Sequence, residues 1–345
     1  MQCVELRSLT GTNNSQGIHS PYDLHLSQRQ APQPRPGHVV VHIKAASLNY
    51  RDLMVADGRY GRPPLPLVPL SDAAGEIIST GQHVSSLQPG DRVAGTFFQG
   101  WIDGPLQRQH MDRALGGTID GVAAEFVEFP ADGLVRIPDH LTDVEAATLP
   151  CAALTAWNAI AGPDGVRPDQ TVLIQGTGGV ALFALQFAKM QGARVILLSG
   201  SESKLERARA LGADALLNYR TTPDWSKDVF ELTERVGVDH VVEVGGRDTL
   251  QKSLRALAFG GRIHLIGGVS GFSSELSLLD IIGKAAHVRG IYVGNRSQFE
   301  AMNRALRLHK SRPVIDRVLP FSAIADAYDH LAGGSHFGKV VLSGW

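Results

Sequence analysis

Three closely spaced glycines follow a short apolar segment near the middle of the chain. The segment TVLIQ has the composition of a buried strand, the glycines come next in GTGG, and an apolar-faced helical pattern begins there. Glycines at this spacing let the backbone turn tightly and approach a pyrophosphate, and a helix N-terminus adds free N–H groups. Because both the strand and the helix are present, a dinucleotide-binding turn is favoured over an ordinary glycine-rich turn. Its predicted cofactor-binding residues are Gly176, Thr177, Gly178, Gly179 and Val180.

The end of the second apolar segment indicates which dinucleotide would bind. An NAD-preferring site places an acidic residue about 20 residues after the turn, at the ribose 2′-hydroxyl. Here Ser199 and Ser201 stand at that place, and Lys204 follows. Hydroxyls with a nearby ammonium suit a 2′-phosphate, so we expect NADPH in preference to NADH. The alternative for Ser201 and Lys204 is a helix cap followed by a solvated charge.

Further cofactor contacts are expected where later strands end. Tyr219 closes the third apolar segment and could stack on adenine or reach the phosphate, or it could be a half-buried strand-end aromatic. Ligands of doubly wound sheets bind beyond the carboxyl ends of the strands. The predicted contacts there are Gly245, Gly267, Val293 and Gly294, although glycines also commonly separate strands from helices.

Two kinds of element pattern surround these residues. From VLIQ to VRGIYVG, apolar segments alternate with helix-length segments, which predicts a parallel doubly wound sheet. Between residues 39 and 138 short β-rich runs alternate with proline- and glycine-rich pieces, which is typical of a β-barrel or sandwich. A helical pattern over residues 143–161, opened by Thr142 as N-cap with Glu145 three residues on, separates them. Residues 313–345 return to β character and could rejoin the first domain.

Composition limits the classes of function. The 345 residues carry a net charge of −1, which gives no support to a nucleic-acid or membrane partner, and we expect a small-molecule substrate. No apolar segment is long enough to span a bilayer, and the N-terminus lacks the apolar core of a signal peptide. The chain has only 2 cysteines, which fits a reducing cytoplasm.

Several longer motifs resemble one known family. PGDRV, LPCAALTAW and IQGTGGV together are similar to the medium-chain dehydrogenase/reductase superfamily, and NYRDLMVADGRY, PLSDAAGEI and SGSHFGKVVL resemble its zinc-independent alcohol dehydrogenase and quinone oxidoreductase branch. The resemblance implies an α/β protein with a GroES-like β-rich catalytic domain (1–140 and 312–345) and a doubly wound Rossmann NADP-binding domain (141–311). It also implies a nicotinamide cleft between the domains and a homodimer formed through an edge strand. By the same resemblance Thr155 contacts the cofactor, and Lys339 lies near the cleft or is a solvated charge.

The chain departs from the zinc-dependent members of this family at the metal ligands. Asn49, Ser71 (followed by Asp72) and Cys151 stand where those members have cysteine, histidine and a third ligand. An amide and a hydroxyl are poor substitutes for thiolate and imidazole. The loop over residues 96–120, which would hold a structural zinc, contains no cysteine. We therefore expect no zinc at either site.

Losing the metal changes which substrates are expected. Hydride addition to an isolated carbonyl concentrates charge on one oxygen, whereas a quinone or an α,β-unsaturated carbonyl delocalises it, so hydrogen-bond donors could suffice. The catalytic candidates are Tyr50 and Asn49, which replace the metal-proximal pair, and Tyr60, which resembles the proton donor of related enoyl-thioester reductases. Asp52 is expected to orient its neighbours. Either tyrosine could instead simply pack the barrel or line the pocket.

Three functions follow from these residues. The first is a zinc-independent, NADPH-dependent oxidoreductase that transfers hydride to quinones or α,β-unsaturated carbonyls. The second is a zinc-independent alcohol or aldehyde dehydrogenase. The third is a non-catalytic nucleotide-binding protein with a regulatory role, against which the complete glycine turn and the pocket tyrosines argue.

Overall fold

The computed structural model describes residues 1–9 and 22–345, and these form two compact units. The first comprises Met1–Leu154 and Gly294–Trp345, and the second comprises Thr155–Val293. The predicted domain limits, after residue 140 and before residue 312, both fall inside the first unit. This difference arises because helices next to those limits pack on strands of the β-rich unit.

The strands run in chain order as follows: β1 (Gln2–Leu6), β2 (Leu24–Gln28), β3 (His38–Ser47), β4 (Asp72–Thr80), β5 (Arg92–Gly95), β6 (Phe126–Pro130), β7 (Leu134–Arg136), β8 (Thr171–Gln175), β9 (Arg194–Ser199), β10 (Ala215–Asn218), β11 (Val238–Glu243), β12 (Leu257–Leu265), β13 (His287–Gly290), β14 (Ile315–Leu319) and β15 (Lys339–Ser343).

The α-helices are α1 (Tyr50–Ala56), α2 (Arg108–Met111), α3 (Asp143–Ala146), α4 (Leu154–Ala161), α5 (Gly179–Met190), α6 (Glu202–Ala210), α7 (Trp225–Leu232), α8 (Leu250–Ala256), α9 (Leu278–Gly283), α10 (Arg296–His309) and α11 (Ile324–Ala332). Short 3₁₀ turns cover Ala131–Gly133 and Phe321–Ala323, and a π-helical turn covers Leu149–Ala153. Within residues 1–9 and 22–345 no helix is long and apolar enough to cross a membrane.

The first unit is built on a seven-stranded sheet. Its strand order is β14-β15-β3-β4-β5-β7, with β6 paired to β3. The C-terminal strand β15 pairs antiparallel with β3, so the last segment of the chain rejoins the β-rich unit, and β15 supplies Lys339 at its first residue. The buried core comes from alternating apolar residues of β1, β3 and β4 together with the inner face of α11.

The helical pattern predicted over residues 143–161 is divided in the structure. Thr142 caps α3 as predicted, since its hydroxyl accepts from the backbone N–H of Glu145 at 3.2 Å. Pro150 lacks a backbone N–H, and the π-helical turn that contains it separates α3 from α4. Helix α3 and this turn lie against β3 and β4, which explains why the first unit extends beyond residue 140.

The second unit confirms the predicted doubly wound sheet. Six parallel strands follow the order β10-β9-β8-β11-β12-β13. The order reverses between β8 and β11, where ligands of such sheets bind outside the carboxyl ends of the strands. Strands β8 and β9 are nearly continuous runs of buried apolar residues, as expected when helices cover both faces of a parallel sheet.

Two histidines stack inside this sheet. The rings of His240 on β11 and His264 on β12 are nearly parallel, with centroids 5.3 Å apart, and Nδ1 of His240 lies 3.0 Å from Nε2 of His264. Burial lowers the pKa of His240 to about 4, helped by Arg262. Burial likewise lowers the pKa of His264 to about 3, with His240 and Arg289 adding to the effect. Both rings must therefore be neutral in the folded protein at pH 7.

The histidine pair predicts acid sensitivity. The unfolded chain takes up protons on these rings near pH 6.5, and the folded chain does so only below about 4. The free energy of unfolding is thus fully retained above pH 6.5. It then falls by up to about 1.4 kcal/mol per pH unit for each ring as the pH decreases. His264→Gln should flatten the pH dependence of Tm between pH 6.5 and 4, and His287→Gln, at an exposed position, should not. An unchanged slope in His264→Gln would contradict the assignment.

Candidate functional site

The glycine turn has the geometry that an approaching phosphate needs. Gly176 has φ +81°, a region that other residues rarely adopt, and a Cβ at this position would meet no atom within 4 Å. Gly178 is the N-cap of α5 and leaves the first N–H groups of that helix without a side-chain cap. The turn that contains Thr177 and Val180 therefore presents open space and free donors, which fits a dinucleotide pyrophosphate.

The end of β9 contains the predicted hydroxyl groups. Ser199 is buried, and Ser201 is the N-cap of α6, although its hydroxyl lies 3.0 Å from that of Ser203 rather than on the helix N–H groups. Lys204 is half-buried on the first turn of α6. The nearby carboxylate of Glu202 accepts from the side-chain amide of Asn218.

A basic residue that the sequence analysis missed lies beside these hydroxyls. A Cβ on Gly200 would lie 2.8 Å from the hydroxyl of Tyr219 and 2.9 Å from Nε of Arg220, so both side chains cover this glycine directly. Tyr219 and Arg220 are both exposed. Arg220 follows Tyr219 in NYR, and that adjacency was the signal available in the sequence. The structure thus brings Arg220 and Tyr219 to the serine-rich end of β9.

At the predicted contacts near the later strand ends, either there is little room for a side chain or the backbone conformation is unusual. A Cβ on Gly245 would overlap the Thr249 side chain, and one on Gly267 would lie 2.9 Å from a backbone oxygen, so a side chain at either position would force a neighbour to shift. Val293 has φ +56°, which is strained for a β-branched residue, and its carbonyl accepts from the side chain of Asn158 at 2.7 Å. Thr155 is buried on α4 in the same unit, whereas Gly294 belongs to the other unit.

In the β-rich unit, the three positions that the sequence resemblance matches to zinc ligands take part in one polar network. Asn49 Oδ1 accepts from the ammonium of Lys339 at 2.5 Å, and the same ammonium donates to the backbone carbonyl of Leu48. The Asp72 carboxylate accepts from the Ser71 hydroxyl at 2.6 Å and from the backbone N–H of Cys151 at 2.9 Å. Lys339 is only 3% exposed, so the alternative of a solvated charge is wrong.

Burial is the main cause of the pKa shifts within this network. Burial raises the pKa of Asp72, and the nearby Lys339 ammonium opposes that rise. Burial lowers the pKa of Lys339, and Asp72 opposes that change. Burial also raises the pKa of the Cys151 thiol well above its usual range, and the Asp72 carboxylate raises it further. The amide nitrogen of Asn49 faces Asp72 closely enough to lower its pKa but meets no acceptor at hydrogen-bonding geometry.

The other catalytic candidates surround the start of α1. Asp52 is buried and accepts from the backbone N–H of Asn49 at 2.7 Å and from Arg51 at 3.2 Å. Burial raises the pKa of Asp52 to about 6. Tyr60 packs under the Arg51 guanidinium, 4.7 Å from its ring centroid. Tyr50 is 36% exposed, so it is the more accessible of the two phenols.

Metal ions in proteins are held by clusters of histidine, cysteine and carboxylate side chains. Within residues 1–9 and 22–345, no three histidine, cysteine, aspartate or glutamate side chains come together as a possible metal site.

Comparison with known proteins places the fold and the site in one family. The family profile described as an alcohol dehydrogenase GroES-like domain matches residues 35–139, and the one described as a zinc-binding dehydrogenase matches residues 179–307. A zinc-type alcohol dehydrogenase-like protein of Schizosaccharomyces pombe is 44% identical over 91% of this chain and 93% of its own length. An acryloyl-coenzyme A reductase of Metallosphaera sedula is 30% identical over 91% of this chain and 94% of its own length.

Among solved structures, that of an NAD-dependent alcohol dehydrogenase matches with a TM-score of 0.89 and 34% identity, and it covers 99% of both chains. Each of these matches covers more than 90% of both chains, and the names describe alcohol dehydrogenases and a reductase. This chain belongs to the medium-chain dehydrogenase/reductase superfamily and is an NAD(P)-dependent oxidoreductase.

Proposed function

We propose that the protein is a zinc-independent, NADPH-dependent oxidoreductase that reduces quinones or α,β-unsaturated carbonyls. The observation that carries the proposal is the ammonium of Lys339 bonded to Asn49 Oδ1 at the place that matches a metal ligand. A positive charge is therefore already buried beside that position, and a divalent cation would be repelled from it.

The donor set also argues against zinc. The amide oxygen of Asn49 already accepts a hydrogen bond from Lys339, and the Ser71 hydroxyl donates one to Asp72. Cys151 would have to lose its proton to bind zinc, and burial together with Asp72 raises the pKa of that thiol. Zinc prefers thiolate and imidazole ligands, which these positions do not supply.

Without a Lewis acid, the substrate must carry its own means of spreading negative charge. A bound nicotinamide would supply the hydride, and conjugated acceptors spread the resulting charge over several atoms. The residues of this chain then need only to orient the acceptor and donate a proton. A phenol suits that step because it is neutral at pH 7 and can donate. Tyr50 and Tyr60 are the candidates, and the partial exposure of Tyr50 favours it for contact with substrate.

The names of the relatives support two of the three functions weighed from the sequence. The acryloyl-coenzyme A reductase acts, by its name, on a conjugated thioester, which favours the reduction proposed here. The alcohol dehydrogenases favour the second candidate, a metal-independent alcohol or aldehyde dehydrogenase. The enzymatic relatives leave no observation in favour of a non-catalytic role.

Cofactor choice is argued from the end of β9. Lys204, Arg220 and the Tyr219 hydroxyl come from two neighbouring strand ends, next to Ser199 and Ser201. A 2′-phosphate would gain charge-assisted hydrogen bonds from the two cations. The Glu202 carboxylate at the start of α6 accepts from the side-chain amide of Asn218. These contacts favour NADPH, whereas the structural relative named NAD-dependent favours NADH.

The protein is further proposed to form a homodimer. Helix α9 has no buried residue, and Leu278, Leu279 and Ile282 are each more than 70% exposed. Phe259 is 83% exposed in the same unit, and β13 is an edge strand of the sheet. An apolar surface beside an open strand edge is suited to pairing with a second copy. The free cysteines Cys3 and Cys151 support placement in the cytoplasm.

Activity without metal is the first test. Protein prepared without chelator should contain well under one zinc per chain by elemental analysis, and phenanthroline should not alter NADPH oxidation by a quinone and enone panel. Replacing the proton donor by phenylalanine, in Tyr50→Phe or Tyr60→Phe, should lower kcat by about 10²-fold or more. Tyr22→Phe serves as the control.

Other outcomes of the activity test would select other functions. Stoichiometric zinc, or inhibition by phenanthroline, would overturn the metal-free proposal. Alcohol-driven reduction of NADP without added metal would select the dehydrogenase. Cofactor binding with no turnover of any quinone, enone or aldehyde would favour a non-catalytic role.

The phosphate contacts are tested by charge changes. Lys204→Glu and Arg220→Glu should each weaken NADPH binding by about 10- to 100-fold, because a charge-assisted hydrogen bond is worth about 1.5–3 kcal/mol. NADH binding should change far less. Lys227→Glu, an exposed charge on α7, is the matched control. Equal losses of affinity for NADPH and NADH, measured by fluorescence titration, would contradict the assignment of these residues to the 2′-phosphate.

The dimer is tested on α9. Ile282→Glu should convert the protein to a monomer in light-scattering measurements, because it places a charge in the apolar surface. Leu308→Glu, at a 79% exposed position on α10, should leave the mass unchanged. A wild-type protein that is monomeric at micromolar concentration would contradict the proposal.

A further inference from the structure

Glu243 is a buried charge at the point where ligands of doubly wound sheets bind. It is the last residue of β11, which adjoins β8 where the strand order reverses. Its side chain is 0% exposed. Ligands of such sheets lie just outside the carboxyl ends of the strands at this reversal. A charge is costly to bury, so its partners should reveal what it does there.

Every hydrogen-bond partner of the Glu243 carboxylate is a donor. One oxygen, Oε1, accepts from the loop that follows β11, and the other, Oε2, accepts from Gln175 at the end of β8 and from α8. The donors are Gly245 N at 2.8 Å, Gly246 N at 2.9 Å, Thr249 Oγ1 at 2.6 Å, Gln175 Nε2 at 2.7 Å and Ser253 Oγ. Five donors bond to the carboxylate, and it forms no ion pair within residues 1–9 and 22–345.

Three loops meet at this one residue. Gln175 precedes the glycine turn, and its Oε1 also accepts from Gly245 N at 3.2 Å. The backbone carbonyl of Glu243 accepts from the N–H groups of Ile266 at 2.9 Å and Gly267 at 3.4 Å. The glycine turn after β8 and the loops after β11 and β12 are therefore joined through Glu243.

We propose that Glu243 is a positioning residue for the dinucleotide. It holds the loops that begin at Gly176, Gly245 and Gly267 in the arrangement that the cofactor requires. Glycine backbones are intrinsically mobile, and Gly246 has φ +87°, so an external acceptor is needed to hold their N–H groups in place. The inference rests on the proposed cofactor contacts of these glycines.

An isosteric amide would break this arrangement. In Glu243→Gln the new NH₂ group must face either the two N–H groups of the 245–246 loop or the NH₂ group of Gln175. Two donors then oppose each other in a buried place, and one of the loops must move. A buried donor left without an acceptor carries a desolvation penalty, and we expect that penalty to appear as weaker cofactor binding.

The first measurement is cofactor binding to Glu243→Gln. Its Kd for NADPH should rise by about 10- to 100-fold at a temperature where the protein is fully folded, and Kd for NADH should rise by the same factor. Amide hydrogen exchange in peptides covering residues 244–250 should accelerate. A lowered Tm with unchanged Kd and unchanged exchange would mean a purely structural role and would overturn the proposal.

An exchange of the two side chains provides the rescue. In Gln175→Glu/Glu243→Gln the carboxylate at 175 accepts from Gly245 N, from the Ser253 hydroxyl and from the new amide. The amide oxygen at 243 still accepts from the 245–246 loop. Each donor again has an acceptor, so the double variant should bind NADPH within about threefold of wild type. A double variant that is folded but still binds weakly, or that does not fold, would count against the proposal.

Thr233→Val is the matched control. Thr233 is buried near the opposite, amino end of β11, where its hydroxyl accepts from Gly237 N at 2.9 Å. Its loss should lower Tm and leave Kd unchanged. Wild-type protein that binds neither cofactor would refute the proposed function itself. Wild-type binding that is unaffected by Glu243→Gln would refute only the role of Glu243.

Discussion

The ammonium of Lys339 lies inside the β-rich unit, where its hydrogen-bond partners are carbonyl oxygens and not a carboxylate. Burying such a charge is costly, and the surrounding groups must compensate. Asp72 lowers that cost from β4, which lies on the other side of β3, and the side-chain oxygen of Asn49 accepts from the ammonium. Because β15, the start of α1 and the π-helical turn all bond to this network, the metal-equivalent positions have little freedom to rearrange around an ion.

The second unit buries a carboxylate where the first unit buries an ammonium. Glu243 is a buried carboxylate that forms no ion pair in the described part of the chain, and its hydrogen bonds come from backbone N–H groups, an amide and two hydroxyls. Short hydrogen bonds to a charged acceptor are stronger than neutral ones, so they can offset the desolvation. In both units a buried charge is held by neutral dipoles. In both cases it lies at a strand end, where loops must be fixed.

Much of the fold was predictable because it depends on local pattern. The six strands of the parallel sheet are short apolar runs, and the glycine turn is a contiguous motif, so each is visible in a window of a few residues. The burial of Lys339 could not be predicted, since a lysine at the start of a strand can equally well be solvated. Its burial depends on the pairing of β15 with β3, nearly three hundred residues apart in sequence. The extent of the β-rich unit beyond residue 140 depended on the packing of α3, which the alternating pattern does not encode. Arg220 and Glu243 were missed for a related reason: their roles come from neighbours on other strands.

The residues proposed to select the cofactor and those at the metal-equivalent positions lie in different units. The residues proposed to select the cofactor, Lys204, Tyr219 and Arg220, all belong to the second unit, and those at the metal-equivalent positions all belong to the first. Substitutions at sites that share no partners usually have additive effects. The proposed absence of zinc therefore requires no change of cofactor. A change at the end of β9 could likewise exchange NADPH for NADH without altering which substrates the β-rich unit accepts. Nucleotide preference and metal dependence can thus vary independently on this fold, so the zinc-type names of the relatives do not determine the chemistry of this chain.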